Sequence, residues 1–214
     1  MGTRYGFIAV TSDLDPLVSA FTEVWPRYEL TESATLASVD DYLLWQKQHT
    51  KFVSANDWSP QNTGIEVYGC LQDGAWAVLL DSSYVLCADD AALARLSVKF
   101  GQCLSFVVDS GSTTASFMCF ENGALVRSID SVEGHIRLAG VPVPEEAGLN
   151  MNAYGAQDAE VLQRKLGLRV VTEMLSTTVL AMAVTDRTDF GGTLGPSQAR
   201  EQALPDNKPW WKLW

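Results

Sequence analysis

The chain has 214 residues, 47% of them hydrophobic and 10% aromatic, with 26 acidic against 15 basic side chains and a formal net charge of −11. That length fits one large domain, with or without a tail, since domains run to about 100–200 residues, and the apolar content excludes disorder as the main state. The acidic balance speaks against nucleic-acid binding, which needs a basic face, and against docking on anionic membranes; a basic protein partner is its natural complement.

Residues 5–11 read as a first strand. Asp15-Pro16 then offers an N-cap followed by proline at the first helical position, and Leu17, Phe21 and Val24 recur at helical spacing until Pro26. Ser38 with Asp41 three residues on has the pattern of a capping box and starts a second helix carrying Val39, Tyr42, Leu43 and Trp45. From Gly64 the period changes to two. Residues 65–71 and 75–80 flank the turn Gln72-Asp73-Gly74, whose Asp-Gly is a favoured hairpin turn pair, and Val85-Leu86 suggest a short further strand. Asp89 caps a helix with Leu93, Leu96 and Phe100 on one face, stopped by Gly101.

Residues 104–109 and 113–121 flank the turn Ser110-Gly111-Ser112, and Asn122-Gly123 leads into 124–129. This predicts a three-stranded antiparallel meander over 103–130. An extended segment follows in Gly140-Val141-Pro142-Val143-Pro144-Glu145-Glu146. Residues 156–166 have helical spacing in Ala159, Leu162 and Leu166, with Gly167 as the stop. In 169–184, valine and threonine favour a strand, but sixteen residues without a turn signal, with Val171, Met174, Leu175, Thr178 and Val179 spaced for a helix, favour a helix. The expected architecture is a single α+β domain over 1–185, a mainly antiparallel sheet with helices packed on one face. The composition of 186–209 reads as a linker, and 210–214 as a docking segment built on Trp210, Trp211 and Trp214. Three indoles are costly in water, and tryptophan is enriched at binding hot spots. One helical turn would set Trp210 and Trp214 on the same side, to dock on the chain's own domain or on a partner.

The apolar run before Ser12-Asp13 is about four residues, short of the roughly 7–15 of a secretory signal, and no window reaches the roughly 18–20 apolar residues of a membrane span. Cys70, Cys87, Cys103 and Cys119 lie 16 or 17 residues apart. That is far from the close Cys-x2-4-Cys spacing of a zinc site, and each sits in an apolar context that suits a buried thiol. We therefore expect a cytoplasmic protein with reduced cysteines, no bound metal and no cofactor.

One stretch invites a chemical reading. Val107-Val108-Asp109-Ser110-Gly111-Ser112-Thr113-Thr114 resembles the active-site turn of aspartic proteases and the phosphate-binding hairpin of actin-like sugar kinases. A protease needs two such turns because its carboxylates share one proton. Only one copy occurs here, at Asp109, although a homodimer would supply a second. The kinase family has two duplicated lobes and its first motif near the start of a longer chain, whereas 108 residues precede Asp109. Asp189-Phe190-Gly191-Gly192-Thr193 looks like the second phosphate motif but follows Asp186-Arg187-Thr188 rather than a strand. Without either family, Ser-Gly-Ser is turn chemistry between strands. His49 and His135 lack a Gly-x-Ser-x-Gly elbow to serve. The acidic pairs Asp40-Asp41 and Asp89-Asp90 suit helix starts, where the dipole favours negative charge; Glu145-Glu146 is the third such pair.

The helix before Gly101, the hairpin, the run Glu121-Asn122-Gly123-Ala124-Leu125-Val126-Arg127-Ser128, the segment Gly140-Val141-Pro142-Val143-Pro144-Glu145 and the helix closing on Leu166-Gly167-Leu168 resemble small bacterial α+β domains, some of which are immunity proteins of polymorphic-toxin systems. The likeness covers about a third of the chain. It implies a cytoplasmic, non-enzymatic protein that occludes a basic toxin domain, with no catalytic residues to carry over. The alternative is an enzyme or small-ligand domain using Asp109, Ser110, Gly111, Ser112 and Thr113.

Overall fold

A computed structural model of the chain describes residues 4–51 and 64–186. They form a nine-stranded sheet, with every pairing antiparallel. In chain order the elements are β1 (Arg4–Thr11), α1 (Leu14–Val24), β2 (Tyr28–Leu36), α2 (Val39–His49), β3 (Ile65–Asp73), β4 (Trp76–Leu80), α3 (Asp90–Phe100), β5 (Gln102–Asp109), β6 (Thr114–Glu121), β7 (Ala124–Val132), β8 (His135–Gly140), α4 (Ala156–Lys165) and β9 (Val179–Asp186). Across the sheet the order is β2-β9-β3-β4-β1-β5-β6-β7-β8.

The antiparallel α+β class is as expected, but the helices do not share one face. Alternation along β1 explains why: Tyr5, Phe7 and Ala9 enter one apolar cluster, and Ile8 and Val10 enter another. The first cluster is covered by α2 and α4, through Val39, Tyr42, Ala159 and Leu162. The second is covered by α1 and α3, through Leu17, Phe21, Leu93 and Leu96. A strand buried on both faces shows a continuous apolar run with no period, and that hides the second helical layer from a reading of spacing alone.

Local signals placed most helices. Ser38 Oγ accepts from Asp41 N at 3.1 Å and bonds Asp41 Oδ2 at 2.7 Å, fixing the start of α2. Asp89 Oδ1 accepts from Ala92 N at 3.1 Å, and Gly101 ends α3 at φ 83°. The following expectations are corrected. Residues 169–184 are not a helix: a 3-10 turn at Val171–Glu173 precedes β9, which slots between β2 and β3 with Ala181 and Ala183 on one face and Met182 and Val184 on the other. Val85 and Leu86 form turns around buried Asp81, whose carboxylate accepts from the backbone of Ser83, Leu86 and Cys87. The meander has a fourth strand, β8, paired to β7. At the β3–β4 hairpin the turn is Gly74-Ala75, because Asp73 pairs with Trp76 and its carboxylate holds Arg169, Nε to Oδ1 at 2.6 Å. Asp186 ends β9. The rest of the 186–209 linker and the 210–214 segment lie outside the described residues.

Candidate functional site

Two hairpin turns and the entry to α4 meet at one end of the sheet. The β5–β6 turn follows Asp109, and Thr114, the first residue after it, pairs with Val132, the last residue before the β7–β8 turn. Between these turns and residues 153–156 lies a cavity of about 550 Å³, within the roughly 300–1,000 Å³ of small-molecule sites. Its wall carries two carboxylates, Asp109 and Glu133; five hydroxyl side chains, Ser110, Thr113, Thr114, Ser131 and Tyr154; and apolar stretches at Ile136, Ala153 and Ala156. Among the described residues no arginine, lysine or histidine lines it.

The sequence singled out five residues here, and the structure keeps them in one turn. Asp109, Ser110 and Thr113 line the cavity. The backbone N–H groups of Gly111 and Ser112 turn back to donate to Asp109 Oδ1, at 2.9 and 3.3 Å. Asp109 Oδ2 lies 3.7 Å from Arg4 Nε, and the same nitrogen donates to Tyr84 Oη at 3.0 Å with the guanidinium over the Tyr84 ring. Burial pushes the Tyr84 phenol up to about 12, against the pull of Arg4. Asp109 is thus the hub of its own turn, with one oxygen folded back on the backbone and the other beside a cation. Thr113, at φ 50°, and Glu133, at φ 49°, both adopt the left-handed conformation that non-glycine residues seldom take.

The deeper wall is polar as well. Tyr154 is only 2% exposed, and its hydroxyl makes no hydrogen bond among the described residues; burial raises its pKa well above the ordinary tyrosine value. Beneath this face Tyr5 Oη bonds the buried Gln163 side chain at 2.9 Å. Arg127 grips Glu146 through two bonds, Nε to Oε1 at 2.8 Å and Nη2 to Oε2 at 2.7 Å, with both residues buried. A fork-to-carboxylate pair of this kind fixes geometry as well as energy. It holds β7 against the segment leading to α4. The helix start facing the cavity is already compensated, since Asp158 Oδ2 accepts from Gly155 N at 3.2 Å.

The other candidates stand apart from this cavity. His49 lies at the C-terminus of α2, its Nδ1 2.8 Å from Trp45 O and its ring stacked on Trp45 at 4.0 Å. His135 opens β8, exposed. Of the acidic pairs, Asp41 and Asp89 serve helix starts and Glu146 holds Arg127. No group of three or more His, Cys, Asp or Glu side chains suited to a metal ion occurs among the described residues. All four cysteines are free and buried, and burial pushes their thiols up, Cys70 to about 12 and Cys119 to about 11. Trp25 is in the core and Trp45 and Trp76 pack against it, while Trp210, Trp211 and Trp214 lie outside the described residues.

Sequence reasoning missed Ser131, Glu133, Tyr154 and the residues around them. Glu133-Gly134 between two strands is a turn signal in retrospect, Gly134 having φ 81°, but nothing local shows that 153–156 folds back over it. No helix of the described residues is long and apolar enough to cross a membrane. Comparison with protein-family models, with curated proteins and with solved structures gives no match, so the site is read from its own chemistry.

Proposed function

We propose that the chain is a non-enzymatic binding protein whose partner is a basic protein, in the manner of an immunity-type protein that occludes a basic toxin domain. The observation that supports this reading is a cavity wall with two carboxylates, five hydroxyls and, among the described residues, no basic side chain, on a chain of net charge −11. Complementary charge steers such encounters and rejects acidic competitors. Trp210, Trp211 and Trp214 supply a second, apolar contact to the same partner.

The catalytic alternative needs Asp109 for work other than that which it does. An aspartic-protease carboxylate shares a proton with its twin, whereas the Asp109 oxygens face the backbone N–H groups of its own turn and the Arg4 guanidinium. A phosphate cradle offers free backbone N–H groups, but those of Gly111 and Ser112 donate to Asp109, and the carboxylates of the wall repel a phosphate. Asp109→Ala is therefore expected to loosen the turn without removing a reaction.

The test is to mix the purified chain with each basic protein encoded beside its gene, and to size the products by light scattering at about 50 and about 300 mM salt. A one-to-one complex that weakens about ten-fold or more over that range is expected, because exposed charge pairs are screened. Failure of every basic neighbour to bind, or a complex indifferent to salt, overturns the reading.

A further inference from the structure

The two carboxylates of the cavity are not equivalent. Asp109 is held by two backbone N–H groups and stands 3.7 Å from Arg4. Glu133 is exposed at the tip of the β7–β8 turn, with its backbone in the left-handed region and no basic residue among the described residues of the wall. Between them the wall alternates hydroxyls with the apolar side chains of Ile136, Ala153 and Ala156. Long basic side chains have the same two-part character, a methylene stem that packs on apolar surface and a charged head that stays polar.

We propose that this cavity is the receptor for one arginine or lysine side chain of a protein partner. The stem lies against Ile136, Ala153 and Ala156, and the cationic head is held at Glu133, with Asp109 adding field and the hydroxyls of Ser110, Thr113 and Ser131 accepting its N–H groups. The sign of the charge decides between ligand classes. Hydroxyls suit anions, sugars and cations alike, but Glu133, with no cation among the described residues of the wall, selects the cation, even though Asp109 is already beside Arg4. The start of α4, which would otherwise favour an anion, is offset by Asp158 at Gly155 N. The inference takes from the function proposed above only the source of the side chain, a partner protein rather than a free amine.

The test does not need the partner. Acetyl-arginine methylamide and its neutral isostere acetyl-citrulline methylamide are titrated into the labelled full chain, and amide resonances are followed by NMR. Saturable shifts confined to 109–114, 131–136 and 153–156 are expected for arginine, with roughly five-fold weaker binding of citrulline, the size expected for one exposed ion pair. Glu133→Gln should weaken arginine by a similar factor, while Glu121→Gln, at the other end of β6, should not. The inference fails if arginine and citrulline bind alike, if the shifts fall elsewhere, or if the two variants behave the same. Failure here alongside salt-sensitive capture of a basic protein would remove the cavity and leave the wider function standing. Spermidine serves as the free-amine arm: binding more than about ten-fold tighter than arginine would overturn the protein side chain as occupant.

Discussion

Asp130 lies half-buried on β7, opposite Arg137 of β8, with Oδ1 buried and without a hydrogen-bond partner among the described residues. Burial pushes its carboxyl up to about 6, and Arg137 pulls the other way without restoring the ordinary value. An unfolded aspartate titrates near 3.9. Between about pH 4 and pH 6 the unfolded chain therefore releases a proton that the native chain keeps. Stability falls as pH rises through that window, and the loss is complete above it. The side chain is partly open to solvent, so the penalty is about 1 kcal/mol rather than the larger figure that a fully buried shift would give. Asp130→Asn removes the titration. Urea unfolding should find the variant gaining about 1 kcal/mol on the parent chain at about pH 7.5 relative to their difference at about pH 4. An equal difference at both values would mean that the carboxyl is solvated and ordinary.

At the scale of elements, the clearest demand on the chain is the close approach of the end of β8 to the start of its partner β7. Gly140 has φ 79°, and a Cβ there would stand 1.9 Å from the Val126 carbonyl oxygen, which accepts from Val141 N at 3.0 Å. Gly148 has a similar φ of 84° but open space around the same position. Gly148→Ala should cost only the left-handed conformation, about 1 kcal/mol. Gly140→Ala should cost about 2–4 kcal/mol because the ladder must also open. Equal losses in denaturant unfolding would show that the close approach is relieved freely. The same region marks the limit of what the sequence discloses. Caps and turn residues act locally, so Ser38, Asp89, Gly101 and Asn122-Gly123 announce their elements. The edge strands do not: β2 is exposed through its middle and β8 almost throughout, so neither carries the apolar alternation of a half-buried strand. β9 fails for the opposite reason, being buried on both faces with apolar residues in succession. The candidate site divides likewise. The Asp109 turn is legible as a motif, but Glu133, Ser131 and Tyr154 join it only through pairing of Thr114 with Val132 and the return of the chain before α4.

For the molecule as a whole, the proposed function asks how an acidic chain and a Trp-rich terminal segment would divide the work of binding. Charge governs approach and selectivity more than final affinity, and it weakens with salt. A buried indole contributes roughly 2–3 kcal/mol by area, set against about 1–2 kcal/mol for each residue that must be ordered. Trp210, Trp211 and Trp214 thus have enough apolar area to fix a short segment onto a surface, and in the function proposed here that surface is the partner's. Deleting residues 208–214 should then leave the melting temperature of the free chain within about 1 °C, while the partner's affinity falls ten-fold or more at high salt, where the charge contribution is screened. A drop of several degrees in the melting temperature of the truncated chain would place the tail on its own domain instead. No change in either measurement would remove the tail from the binding mechanism and leave the cavity end of the sheet to account for it alone.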